Sequence, residues 1–105
     1  MIDYDKITSI LDELGIEYAY YQFNEDMSGK ERFIAYLETS RETFNADDKT
    51  YAYERRFAIE LYTKCIEPDT EQKLIDLLES NEIAWSCDSS TWLEDEKVYM
   101  TVFNI

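Results

Sequence analysis

Apolar and polar residues alternate one by one from Tyr51 to Thr63, the longest such run in the chain. Tyr51, Tyr53, Phe57, Ile59 and Leu61 share one parity, interrupted by Arg55, while Ala52, Glu54, Arg56, Ala58, Glu60 and Tyr62 share the other. A period of two suits a strand with one face on a core and the other toward water, and the length of the run predicts a central strand. Near the start the period changes. Ile7, Ile10, Leu11 and Leu14 fall at i, i+3, i+4 and i+7, the stripe of an amphipathic helix that Asp3 or Asp5 can cap and Gly15 can end. Ile16 then stands where a Schellman-type contact with the last turn is expected. Asp12 and Glu13 lie at the end of that helix where the dipole does not favour carboxylates.

The aromatic run Tyr18 to Phe23 predicts a first strand and Arg32 to Glu38 a second, joined as an antiparallel hairpin across the turn formers of residues 24–31. Both parities of the second strand are partly apolar (Phe33, Ala35, Leu37; Ile34, Tyr36), which predicts cover on both faces. Thr39 to Thr50 is polar apart from Phe44 and is expected to be a long loop leading into the central strand. Phe44 either tucks back on the core, the commoner fate of a lone apolar loop residue, or is offered to a partner.

Beyond the central strand, Glu67-Pro68-Asp69-Thr70-Glu71-Gln72 predicts a helix start, with Asp69 as N-cap and Gln72 as its capping-box partner. Leu74, Ile75, Leu77 and Leu78 form the apolar stripe, and Asn81 is the expected left-handed terminator. Ile83 to Asp88 alternates as a fourth strand, Trp92 falls in a loop, residues 94–97 form a turn, and Val98 to Ile105 closes the sheet. The expected fold is α+β, in the order α-β-β-β-α-β-β. Two helices pack on one face of a mostly antiparallel sheet of about five strands, giving two layers. Tyr20, Tyr36, Tyr62 and Tyr99 are expected on the far face.

Composition narrows the class. With 45% hydrophobic and 15% aromatic residues and only 2 glycines and 1 proline, the 105 residues are read as one domain, 1–105, without linkers. A formal charge of -14 spread over both halves disfavours nucleic-acid phosphates and anionic lipid, since both are bound through Lys and Arg. No run is long enough to span a membrane and no signal-peptide pattern opens the chain, so a cytoplasmic setting is expected. Cys65 and Cys87, 22 positions apart, read as ordinary small hydrophobes in a reducing compartment.

The chemistry that remains is thin. Without a single histidine the chain lacks the usual general base, the commonest metal ligand and the Ser-His and Cys-His pairs. Carboxylates alone could serve a small hydrolase, but among 24 acidic residues no pair stands out. The clusters Glu25-Asp26, Asp47-Asp48 and Glu94-Asp95-Glu96 lack the calcium-loop pattern, and no Gly-rich phosphate loop occurs. We therefore expect no enzyme, no cofactor and no metal, and a domain that works by binding.

The opening Met1-Ile-Asp-Tyr-Asp-Lys, the phrase Ala58-Ile-Glu-Leu-Tyr-Thr-Lys64, Asp69 to Leu78, Ile83-Ala-Trp85 and the close Phe103-Asn-Ile105 together resemble tail-terminator or tail-completion proteins of long-tailed phages and prophages of Gram-positive bacteria. These are core and cap residues, matched as a pattern over most of the chain. The resemblance implies a homo-oligomeric ring, commonly a hexamer, that assembles in the bacterial cytoplasm and becomes part of the virion tail. Its partners would be the tail tube protein and the head–tail connector. DNA would slide through the ring without tight binding, and no membrane would be involved. Candidate partner contacts are Phe44, Asp47 and Asp48 in the long loop, with Tyr51 and Tyr53 where the central strand emerges from it. The alternative is an acidic inhibitor or DNA mimic that fills the basic groove of a nucleic-acid-binding protein.

Overall fold

A computed structural model describes residues 2–20 and 31–105, apart from the side chain of Tyr51. The first helix, α1 (Tyr4–Leu14), is capped by Asp3, whose carboxylate accepts the Lys6 amide at 2.8 Å. Gly15 ends it at φ 80°, its amide donating to the Leu11 carbonyl at 3.2 Å. That is the single-bond left-handed stop, open to glycine because no Cβ is present to meet the carbonyl. The ill-placed carboxylates find compensation from outside the helix. Asp12 accepts the Tyr18 hydroxyl, and Lys73 of the second helix reaches the Leu14 carbonyl.

That second helix, α2 (Pro68–Ser80), starts two residues earlier than the capping-box reading. Pro68 takes the first helical position, where its missing N–H costs nothing, so Glu67 rather than Asp69 is the cap residue. Glu67 uses its carboxylate on Arg32 and Thr70 instead of on the helix amides. The far end is also displaced. Asn81 keeps φ at -95°, and Glu82 adopts the left-handed conformation at 59°. The Glu82 amide donates to the Glu79 carbonyl and the Ile83 amide to the Leu78 carbonyl, the full Schellman pair, with Ile83 buried beside Leu78.

The strands are β1 (Tyr18–Tyr20), β2 (Arg32–Ala46), β3 (Lys49–Thr63), β4 (Ser86–Cys87), β5 (Thr91–Leu93) and β6 (Val98–Asn104). They form one sheet in the order β1-β2-β3-β6-β4, with β5 also on β6. All pairs are antiparallel except β1 with β2. The expected α+β fold is therefore observed, with three changes of detail. The first strand runs parallel to the second, so the two are not a hairpin, and the expected residues 21–23 of that strand fall outside the described residues. The expected fourth strand shortens to Ser86–Cys87 against the end of β6, and Trp92, expected in a loop, lies in a further short strand, Thr91–Leu93, on the same partner. Between these pieces the Ser90 and Thr101 hydroxyls share a hydrogen bond.

The third change is the largest. Residues 39–50, expected as a loop, continue β2 and return as β3, each strand 15 residues long. Asp47 and Asp48 make the two-residue turn, with φ of 51° and 61°, the mirror-image geometry that matches the twist of paired strands.

Both helices lie on one side of the sheet. Ile7, Leu11, Leu74 and Leu78 meet Ile34, Phe57, Ile59, Leu61 and Phe103 in the main core, so Phe57, Ile59 and Leu61 sit under the helices as expected. Phe33, Ala35, Tyr62 and Val98 form a second cluster on the opposite face. The second strand is thus buried on both sides. The four tyrosines do not share the far face, however. Tyr36 packs in the helix-side core against the rings of Tyr18 and Tyr20, Tyr99 has the parity of Thr101 and Phe103 and meets Trp92, and Tyr62 alone belongs to the far cluster. Cys65 and Cys87 are both free, and both are exposed.

Candidate functional site

The last pairing of β3 with the end of the chain is the two-way bond between Phe57 and Ile105. Past that point, among the described residues, β2 and β3 pair only with each other. Residues 39–46 at about 3.4 Å each carry this two-stranded arm roughly 25 Å from the body. It accounts for a longest dimension of 52 Å against 28 and 23 Å, and for a radius of gyration of 15.1 Å, where a compact chain of this length would have about 13 Å. A register shift between Glu38 and Ser40 sets the arm's base, and another between Phe44 and Asn45 precedes the turn. Such bulges sharpen local twist and re-aim the residues beyond them.

Phe44, Asp47, Asp48, Tyr51 and Tyr53 all fall on this one ribbon, on different parts of it. Phe44 is 54% exposed, so it is offered outward and not tucked on the core. It stands opposite Ala52, on the face it shares with Glu42 and Glu54. Those two carboxylates face each other across the strands, and Arg56 lies near both, at 3.9 Å from Glu42 and 3.3 Å from Glu54. Asp47 and Asp48 form the tip. Tyr53, 39% exposed, lies on the helix-side face.

That helix-side face also holds Tyr4, Glu38 and Arg41, which were not among the expected contacts. Arg55 sits between two rings, its guanidinium carbon 5.5 Å from the centre of Tyr4 and 5.6 Å from that of Tyr53. Arg41, directly opposite Arg55, covers the same Tyr53 ring at 5.8 Å. Each such contact draws on the negative face of the aromatic ring. Arg41 also forks onto Glu38 through Nε and a terminal nitrogen, at 2.8 and 3.1 Å, and the Tyr4 hydroxyl donates to the same carboxylate at 2.7 Å. These two donors hold the Glu38 carboxyl down to about 2, and the same carboxylate pushes the Tyr4 hydroxyl well above its ordinary value. Arg55 differs from Arg41. Its Nε is buried and has no acceptor among the described residues. The sequence did carry one signal for this: Arg55 is the charge that interrupts the apolar parity of the 51–63 run.

Charge is distributed unevenly between arm and body. Residues 39–56 contain four acidic and four basic residues, so the arm is neutral and the entire -14 belongs to the rest. The helix layer is rich in it, with seven acidic and two basic residues in α1 and α2. At the arm's base, where β6 stops and β3 continues, a groove of about 410 Å³ runs between Thr39, Ser40, Arg56, Phe57, Trp85 and Asn104. Among the described residues no group of three or more carboxylate or cysteine side chains is placed to hold a metal ion. Glu25 and Asp26 lie outside the described residues.

Neither family models nor curated proteins give a match to this chain.

Proposed function

We propose that this protein is a structural subunit of a phage or prophage tail, a terminator or completion protein that caps the tail tube and joins it to the head-side connector as a ring. The observation that carries this reading is the arm. A two-stranded ribbon with no third strand is at best marginal in water by itself. One that also keeps Phe44 and Tyr53 exposed is better suited to docking than to solvent. The body fits the same task, because an anionic surface gives passing DNA no counterion-releasing grip. The resemblance of the core and cap phrases to tail-terminator proteins supplies the assembly in question.

The chain acts in this reading by binding, through its arm and sheet edges, with no catalytic step. Light scattering across a range of protein concentrations, together with binding to purified tail tubes and connector, tests it. The expected result is a ring-sized species, or decoration of tube ends. A monomer at the highest concentration that also ignores tubes and connector would overturn it.

A further inference from the structure

We infer that the helix-side face of the arm is the docking surface for a second copy of this chain, which presents its acidic helix layer to Tyr53 and Arg55. The inference rests on the proposed assembly and names the contact within it. Three observations converge. Arg55 is fixed between Tyr4 and Tyr53; its Nε is buried, but its terminal nitrogens are not and make no hydrogen bond among the described residues, so an arriving carboxylate meets donors already held in position. On the same face Arg41 is engaged by Glu38, whereas Arg55 makes no hydrogen bond or ion pair among the described residues. Finally, the arm has no net charge while the rest of the chain carries -14, and its helix-side face holds Arg41 and Arg55; the helix layer, with Asp76 and Glu79 exposed on α2, is an acidic surface of the same chain that this face can meet.

Arm and helix layer are different surfaces of one subunit. A contact between them is head-to-tail, and such contacts close into rings or run on as filaments. Charge complementarity also predicts how it responds to conditions: association weakens as salt rises, opposite to an apolar contact.

The test compares self-association of the full chain by sedimentation velocity at low and high salt, for the wild type, Arg55→Gln, Arg55→Glu, Asp76→Lys with Glu79→Lys, and the combination of Arg55→Glu with both lysine changes. Arg55→Gln keeps most of the side chain's packing on Tyr4 and guards against a variant that merely misfolds. Expected are association weakened at least about tenfold by each reversal, a smaller loss for Arg55→Gln, and recovery in the combined variant. Equal association of wild type and Arg55→Glu, or no recovery in the combined variant, overturns the inference while leaving the tail-assembly reading intact. So does a wild type that stays monomeric yet binds tail tubes through the arm. A wild type that neither self-associates nor binds tail components removes both.

Discussion

The tip of the arm offers the sharpest test of how the ribbon is held. Asp47 and Asp48 both occupy the left-handed region, with φ of 51° and 61°. An L-residue there costs roughly 1–2 kcal/mol, less for Asp, whose short side chain can bond locally, and the mirror-image turn prefers Asn-Gly. Replacing the pair (Asp47→Asn with Asp48→Gly) removes two neighbouring carboxylates and relieves the second position fully. Against this stands the greater freedom that glycine has in the open state, a loss of roughly 0.5–1 kcal/mol. The expected net gain is about 1 kcal/mol, or a fall of about fivefold in the opening constant of the arm. Because among the described residues only the partner strand pairs with residues 41–55, the gain belongs to local opening and not to global unfolding. Hydrogen exchange read by mass spectrometry should show slower exchange across residues 41–55, with that in α1, β6 and the thermal midpoint little changed. Unaltered or faster exchange in the arm would refute the turn assignment. A thermal midpoint that rises by the full amount would refute the independence of the arm from the body.

Other consequences follow from the ends of α2, the core, the Glu38 cluster and the cysteines. Glu82→Gly, at the left-handed stop of α2, should stabilise the fold by about 0.5–1 kcal/mol, seen as a thermal midpoint a few degrees higher. Phe57→Ala should cost about 3–5 kcal/mol in urea titration, since Phe57 is fully buried and packs edge-on against Tyr4 at 5.2 Å. The Glu38 carboxyl is held down to about 2, so its ionised form stabilises the fold above the ordinary carboxylate range, and that contribution is lost as pH falls from about 4 toward 2. Stability of Glu38→Gln measured against pH should therefore decline less over that window than that of the wild type; parallel curves would remove the role given to Glu38. Cys65 and Cys87 should both react with thiol reagents in the native protein, Cys87 more slowly, because burial together with Glu71 and Asp88 pushes its thiol up.

Where apolar residues met a core, the sequence spoke clearly. The stripe of α1, its Asp3 cap and Gly15 stop, the two-sided burial of residues 33–36 and the parity of Phe57, Ile59 and Leu61 were all legible, since burial writes its period into residue choice. The other strand of the arm was hidden for the same reason. Its outer half is solvated on both faces, so residues 39–50 carry no alternation, and the Asp-Asp turn lacks the glycine that usually marks a hairpin. Thr39, Thr43, Phe44 and Thr50 are good strand formers and were the available hint. The direction of β1 was beyond reach, because three residues on an edge carry nothing that separates parallel from antiparallel pairing. The tyrosines misled because both faces of this sheet are apolar, so an aromatic side chain does not reveal which face it joins. All the candidate contacts were placed on one structural unit, yet Tyr4, Glu38, Arg41 and Arg55, which organise its base, come from three elements and become neighbours only when the sheet is assembled.

Among the described residues the arm's two strands pair only with each other, so its reach is a free parameter of the fold. Adding two residues to each strand moves the tip outward by about 7 Å and leaves every face as it was, while a single added residue exchanges the faces of everything beyond it. The extra residues at Thr39 in β2 and Tyr51 in β3 each lie in one strand only, so each shifts that strand's own alternation while its partner's continues. Chains built on this plan can thus change the spacing they span by even steps, with no revision of the body, and any odd step must be answered by a second bulge.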